Sequence, residues 1–224
     1  MRLVLATRNE HKLRELAQLM RPIELDPLPA EVTLPPEIGT TFADNALGKA
    51  RAAAAATGRT AIADDSGIQA AALGGGPGVW SARFAGEAAT DEENLAKLLR
   101  EVPPDGDTRV AYLCAIACVE PGGREQVVHG RCEGRLTHEP RGTSGFGYDP
   151  AFVPDDHPGN LTMAELTPEE KDAISHRGRA ARELLMRLLQ EEEEAKRPRS
   201  LLSGLLRGGS AARRGAGRSG RGGR

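Results

Sequence analysis

The sequence predicts an α/β domain, and three observations carry that prediction. Apolar runs of strand length, at residues 3–6, 23–28 and 110–119, are interleaved with segments whose apolar residues recur at helical spacing. Two helix starts have capping-box spacing: Thr90-Asp91-Glu92-Glu93, and Thr167-Pro168-Glu169-Glu170 with proline at the first helical position. Glycine and proline clusters, above all Gly74-Gly75-Gly76-Pro77-Gly78, punctuate the pattern where the chain has to turn.

In chain order, residues 3–6 form a strand that runs directly into Thr7-Arg8-Asn9. A helix follows with Leu13, Leu16, Ala17 and Met20 at helical spacing. Pro22 ends it, residues 23–28 make a second strand, and the proline-rich stretch to Pro36 is loop. An alanine-rich helix spans residues 41–57, with Gly58 as its C-terminal glycine. Residues 61–63 form a brief strand ending in Asp64-Asp65-Ser66-Gly67, where Gly67 lets the backbone turn sharply. A helix opened by Thr90 reaches about Glu101. Strands at 109–119 and 125–130 flank the turn Pro121-Gly122-Gly123, and residues 132–138 extend the pairing after a bulge at Gly130. Residues 142–150 are a glycine-punctuated loop. The helix opened by Thr167 is interrupted near Ser175 and continues through Leu184, Leu185, Leu188 and Leu189.

A chain of 224 residues suffices for one sizeable domain or two small lobes around a cleft. Aromatics are only 3% of it, so Ala, Val, Ile and Leu must supply most of the buried surface. The formal charge of −2 hides a division. Residues 195–224 hold nine Lys or Arg and no Asp or Glu, which leaves 21 positive against 32 negative charges, or −11, in residues 1–194. An acidic body is a poor general binder of nucleic acid, and any phosphate chemistry there needs local cations or a bound metal. The tail, made of Gly, Arg, Ser and Ala without core-forming periodicity, is expected to be disordered and separate from a domain at 1–194.

Cys114, Cys118 and Cys132 do not form a secreted disulfide framework. Cys114 and Cys118 share one face of a strand and read as small buried hydrophobes, with a zinc site through His129 as the alternative. The opening MRLVLATRNEHK is too short an apolar stretch for a signal peptide, and no membrane-spanning run follows. A soluble, cytoplasmic protein is expected.

Four segments can carry chemistry. At Thr7-Arg8-Asn9-Glu10-His11-Lys12 a strand meets a helix N-terminus, whose unpaired N–H groups and dipole attract phosphate, with donors from Thr7 and Asn9 and charge from Lys12. An ordinary N-cap with a surface lysine has the same sequence. Asp64-Asp65-Ser66-Gly67 places paired carboxylates at a strand end, a repulsive arrangement unless a cation holds it; alternation lets one Asp enter a site. Asp is a hard oxygen ligand suited to Mg²⁺, and Glu37 could be the second carboxylate. An Asp-rich turn is the alternative. Ser144-Gly145-Phe146-Gly147-Tyr148-Asp149-Pro150 concentrates two of only seven aromatics in a loop with little bulk, which suits stacking on a base. Lys171-Asp172-Ala173-Ile174-Ser175-His176-Arg177 brings three potential cations to a helix junction, or is simply a charged helix face.

Six blocks together resemble one family. LATRNEHKLREL (5–16), GTTFADNALGKA (39–50), IADDSG (62–67), GGGPGVWSARFAG (74–86), TSGFGYDPAF (143–152) and KDAISHRG (171–178) match, in order, the inosine/xanthosine triphosphate pyrophosphatases, the Ham1-like house-cleaning nucleotidases. The resemblance spans about residues 3–189. It implies an elongated two-lobed α/β fold with a long central sheet, a nucleotide cleft between the lobes, and a homodimer. It also implies cleavage of deaminated purine nucleoside triphosphates (ITP, dITP, XTP) to monophosphate and pyrophosphate with Mg²⁺. In this carry-over the segment Thr7, Arg8, Asn9, Glu10, His11 and Lys12 binds the triphosphate, chiefly through Thr7, Asn9 and Lys12. Glu37 and Asp65 are the metal carboxylates, Asp65 is also the catalytic base, and Ser66 contacts substrate beside them. Phe146, Gly147, Tyr148 and Asp149 line the base and sugar pocket, Lys171 reaches phosphate or base edge, and His176 and Arg177 read the purine. Arg8 and His11 stand where the family often has a small residue.

Two competing readings follow from the same residues. A Maf-like pyrophosphatase would keep the chemistry with other nucleotides, but the Phe-Gly-Tyr-Asp and Ser-His-Arg blocks argue against it. The glycine-arginine run to Arg224 could instead give weak, sequence-independent nucleic-acid contacts, although no aromatics interleave with the arginines.

Overall fold

The computed structural model describes residues 1–197. Its strands are β1 (Arg2–Leu5), β2 (Glu24–Pro27), β3 (Ala61–Ala70), β4 (Arg109–Val119), β5 (Glu125–Leu136) and β6 (Phe152–Pro154). They form one mixed sheet in the order β2-β1-β3-β4-β5-β6. β1 runs parallel to β2 and β3, and the β3-β4-β5-β6 half is antiparallel. The helices are α1 (Glu10–Leu19), α2 (Phe42–Thr57), α3 (Asp91–Glu101), α4 (Pro168–Ile174) and α5 (His176–Lys196). The unit Met1–Arg187 holds the whole sheet, and of the unit Leu188–Arg224 the described part is the end of α5. The basic tail falls almost wholly outside the described residues.

The long strands β3 and β4 serve two cores. At one end Ala61, Ala63, Ala115 and Ala117 pack with Ala46, Ala50, Ala53 and Ala54 of α2. Methyl-sized side chains on both surfaces let that helix lie close on the sheet, which is how an aromatic-poor chain reaches close packing. At the other end Ile68, Val110, Tyr112 and Phe152 pack with Leu95 and Leu98 of α3. The mixed six-stranded sheet flanked by helices is the long central sheet that the resemblance implied.

Local signals were kept at the helix ends. Thr41 caps α2 by accepting from the Asp44 N–H, and Gly58 closes it in the left-handed region. Both capping boxes form, at Thr90 with Glu93 and at Thr167 with Glu170. Ser175 adopts an extended conformation between α4 and α5, the expected interruption.

Two turns read from glycine are not there. β3 does not stop at Asp64 but continues through the whole Asp-Asp-Ser-Gly segment to Ala70. A Cβ on Gly67 would lie 2.4 Å from Ser81 Oγ and 2.6 Å from the Gly78 carbonyl, so this glycine admits the 3-10 turn Gly78–Arg83 against the strand rather than bending it. β5 likewise shows no bulge at Gly130, since its register with β4 is continuous from Glu125 to Arg135. A Cβ there would meet the His176 carbonyl at 1.9 Å and the Ala180 amide nitrogen at 2.8 Å. Gly130 is the floor on which the start of α5 rests.

Candidate active site

The end of β1 delivers Thr7 and Asn9 to the start of α1. Asn9 Oδ1 accepts from the His11 and Lys12 amides at 2.9 and 3.2 Å, and Thr7 Oγ1 accepts from the Asn9 amide at 3.1 Å. The first turn of α1 is therefore rigidly capped and directs Lys12 onto the sheet, where Nζ lies 3.1 Å from Asp64 Oδ2.

Asp64 and Asp65 leave β3 toward opposite neighbours. Asp64 is fully buried and also accepts from Arg177 Nε at 3.2 Å. Burial alone would raise its carboxyl, but Lys12, Arg177 and Lys49 together hold it well below the usual carboxylate range. Asp65 accepts from Asn45 Nδ2 at 2.9 Å and from the Ser66 amide at 2.9 Å. Its carboxyl is raised: burial outweighs the pull of Lys49 and Lys12, and Glu37 pushes the same way. Lys49 from α2 donates to Glu37 Oε1 at 2.5 Å and to the Asp64 carbonyl at 2.6 Å, so its ammonium ties the Glu37 carboxylate to the backbone of β3.

On the other side, α4 and α5 build a ring pocket over the sheet. His176 is buried, stacked on Tyr112 at 4.5 Å and 11°, and its Nδ1 has no hydrogen-bond partner among the described residues. Burial, reinforced by Arg177 and Lys171, holds its pKa well below the ordinary histidine value, so the ring is neutral. Arg177 donates to Glu15 Oε2 at 2.6 Å, to Asp64 and to Ser66 Oγ at 2.8 Å. Lys171 bridges Glu15 and Asp149 at 2.9 and 2.8 Å, and Asp149 further accepts from Tyr112 Oη and the Phe146 amide, each at 3.0 Å. The partly exposed Phe146 ring lies 5.3 Å from His11, 5.4 Å from Lys171 Nζ and 5.5 Å from the Arg177 guanidinium. Gly147 donates to Asp91 at 2.8 Å, and Tyr148 Oη to the Ser81 carbonyl at 2.7 Å.

These parts face one cavity of about 380 Å³. Its lining includes Thr7, Arg8, Asn9, Lys12, Glu37, Asp65 and Ser66, together with Phe146, Gly147, Tyr148, Asp149, Lys171, His176 and Arg177. Glu10 and His11 are exposed and do not line it, although His11 reaches the Phe146 ring. Arg8 turns its guanidinium toward the carbonyls of Leu28, Pro29, Ala30 and Val32. Sequence reasoning gave no role to Lys49, Asn45, Glu15, Tyr112 and Asp91, and of the Asp64-Asp65 pair it left Asp64 without one. Lys49, Asn45, Glu15 and Asp64 lie inside the quoted blocks, where the spacing gave no hint of their partners.

The cysteines take no part. Cys114 and Cys132 are buried, and burial pushes each thiol up to about 12. Among the described residues no group of three or more His, Cys, Asp or Glu could hold a metal, which leaves the zinc alternative without ligands. No described helix is long and apolar enough to cross a membrane.

With this geometry in place, three comparisons with known proteins agree. A dITP/XTP pyrophosphatase of Cutibacterium acnes is 48% identical over 192 residues, covering 82% of this chain and 94% of that protein. One of Frankia alni is 51% identical over 198 residues, covering 82% and 95%. The structure of a HAM1 protein from Coxiella burnetii superposes with a TM-score of 0.76 at 43% identity, over 85% of this chain and 99% of the other. The Staphylococcus aureus Ham1 protein gives 0.75 at 37% identity, over 86% and 100%. The model of the Ham1 family matches residues 3–187, and the chain belongs to that family.

Proposed function

We propose that this protein hydrolyses non-standard purine nucleoside triphosphates (dITP, XTP and ITP) to the monophosphate and pyrophosphate, with Mg²⁺, as a cytoplasmic homodimer. The observation that carries the reading is that the carboxylates Glu37 and Asp65 and the rings of Phe146 and His176 line one cavity together with Lys12, Lys49, Lys171 and Arg177.

The donor set suits Mg²⁺, a hard ion that takes one or two carboxylates and completes its shell with water and phosphate oxygens. The raised Asp65 carboxyl, pushed up by burial and by Glu37, is the electrostatic mark of a carboxylate pair that a cation would relieve. Bound there, Mg²⁺ would offset the charge of the triphosphate and lower the pKa of water. Asp65 accepts the proton of the water that attacks the α-phosphorus. Lys12, Lys49 and the capped start of α1 stabilise the leaving pyrophosphate.

Base choice follows from His176 and Arg177. Donors supplied by His176 and the acceptor-free guanidinium of Arg177 meet a 6-oxo group favourably and an adenine 6-amino group unfavourably, while Phe146 stacks on the purine. A buried polar mismatch of that kind discriminates by orders of magnitude. A nucleotide panel with separate detection of pyrophosphate and orthophosphate tests the proposal. The expected products from dITP, XTP and ITP are monophosphate and pyrophosphate; stepwise orthophosphate release, or ATP turnover as fast as dITP, would overturn it.

A further inference from the structure

Residues 28–41 join β2 to α2 without helix or strand, and this segment carries Glu37. A connection of that length has many conformations open to it unless its backbone groups are tied down. Here α2 holds the far end, the Gly39 amide donating to Asn45 Oδ1 at 2.8 Å, and two arginines hold the rest. Arg8, just before α1, reaches over to the loop and donates from Nη1 to the Leu28 carbonyl at 2.8 Å. Its Nη2 donates to the carbonyls of Pro29, Ala30 and Val32 at 2.7, 3.3 and 2.8 Å. Arg83, at the end of the 3-10 turn Gly78–Arg83, donates from Nη2 to the Glu37 carbonyl at 2.9 Å.

The anchor of Arg83 is itself fixed. Ser81 in the same turn accepts from the Ile68 amide at 2.9 Å and donates to the Gly78 carbonyl at 2.6 Å, and Gly67 leaves no space between turn and strand. The Arg83 guanidinium lies 4.4 Å over the ring of Trp80, the single tryptophan of the chain. Its Nε makes no hydrogen bond, the Glu87 carboxylate standing 3.6 Å away. The turn that packs against Gly67 and Ile68 of β3 thus extends one arm to the loop that bears Glu37.

We infer that Arg8 and Arg83 are positioning residues, a two-point clasp that holds the 28–41 loop so that Glu37 faces Asp65 across the cavity. The inference rests on the reading of Glu37 and Asp65 as the metal carboxylates. Arginine suits the task, because its planar fork supplies several fixed donors and stays charged. Releasing the loop lowers the fraction of molecules with Glu37 in place, and apparent metal affinity falls by that fraction. The effect belongs to metal saturation more than to the chemical step.

The test uses the full-length protein with Arg8→Ala, Arg83→Ala and Arg83→Lys, and Glu37→Gln beside them. Three quantities are read: hydrogen exchange of the amides in 30–39, Trp80 emission, and the Mg²⁺ concentration at half-maximal turnover of dITP. Loss of one arm should speed exchange in the loop and raise half-saturating Mg²⁺ by about tenfold, the equivalent of one charge-assisted hydrogen bond, with a smaller drop in kcat at saturating Mg²⁺. Arg83→Ala should also shift Trp80 emission, and Arg83→Lys should restore part of the metal affinity. If Arg83→Ala does not fold, Arg83→Lys and Arg8→Ala carry the test. Unchanged loop exchange in every arginine variant overturns the clasp, as does faster exchange with unchanged Mg²⁺ saturation. Glu37→Gln separates the two readings. If it leaves Mg²⁺ saturation unmoved, the metal assignment fails; if it moves saturation and the arginine variants do not, the clasp alone fails.

Discussion

Asp64 and Asp65 share a backbone and a strand, yet their surroundings drive the two carboxyls in opposite directions, and this difference is measurable. Burial raises Asp65 in the folded protein, so its contribution to stability is complete below the unfolded carboxyl pKa and is lost as pH rises through the folded value. Asp65→Asn should therefore melt at or above the parent at pH 7, with the difference vanishing as pH approaches about 4. Its turnover should fall by at least about 10²-fold, since the proton acceptor and one carboxylate charge for the metal are lost together. Asp64 is the reverse case, depressed despite its burial by Lys12, Arg177 and Lys49. Its contribution is present above the unfolded pKa and is lost only as pH falls through a value below the usual carboxylate range. Asp64→Asn should cost about 3–5 kcal/mol at pH 7, because it leaves two buried cations without their shared partner. Melting curves of both variants across pH 4–8 check the pair, and equal destabilisation at pH 7 would refute the assignment. Strand alternation allowed one Asp of the pair into a site, and the family resemblance singled out Asp65. The sequence could not show Glu15, which meets Arg177 across 162 residues, since nothing local to either residue encodes that pairing.

At the scale of elements, helices were legible and the glycines were misleading. Caps are local chemistry, so Thr41, Thr90 and Thr167 could be read from a few residues each. A glycine inside a strand has two meanings, a bend or a close approach, and only the tertiary neighbour decides between them. Gly67 and Gly130 both proved to be approaches, so β3 runs several residues past its expected end and β5 runs unbroken through the expected bulge. Both matter to the site: β3 carries Asp64, Asp65 and Ser66 on straight backbone, and β5 supports the junction that presents His176. Gly130→Ala would drive a methyl group into the His176 carbonyl and the Ala180 amide, backbone atoms with little freedom to retreat. Such overpacking costs about 1–3 kcal/mol, a fall of roughly 2–12 °C in melting temperature for a domain of this size. The KM for dITP should rise with it, because α5 starts at the displaced point. Gly122→Ala, where a Cβ meets nothing within 4 Å, is the matched control and should change neither quantity. A Gly130→Ala protein with parental melting and KM would show that α5 does not depend on this contact.

Across the whole molecule, charge is divided as sharply as the sequence count suggests: −11 over residues 1–194, and nine cations without an acid over 195–224. The acidic body still offers a triphosphate a favourable path, because Lys12, Lys49, Lys171 and Arg177 all line the cavity. Each of these cations touches a carboxylate of the protein, so the wall is held in place before substrate arrives. Recognition at that wall is short-ranged, and at 0.15 M salt charges beyond about 8 Å are largely screened. Removing residues 198–224 should then leave kcat and KM for dITP at physiological ionic strength unchanged. At about 0.01 M salt, where screening reaches about 30 Å, the same truncation makes the chain's net charge more negative and should raise KM for the anionic substrate. The tail's own capacity is different in kind: its arginines can neutralise phosphates along a polyanion, an affinity that falls steeply with salt. Retention on immobilised polyanion should accordingly vanish in the truncated protein while turnover persists. The two assays, run on one pair of proteins over a salt series, separate catalysis in the body from polyanion binding by the tail. Loss of turnover at 0.15 M salt on truncation would mean that the tail supplies part of the active site.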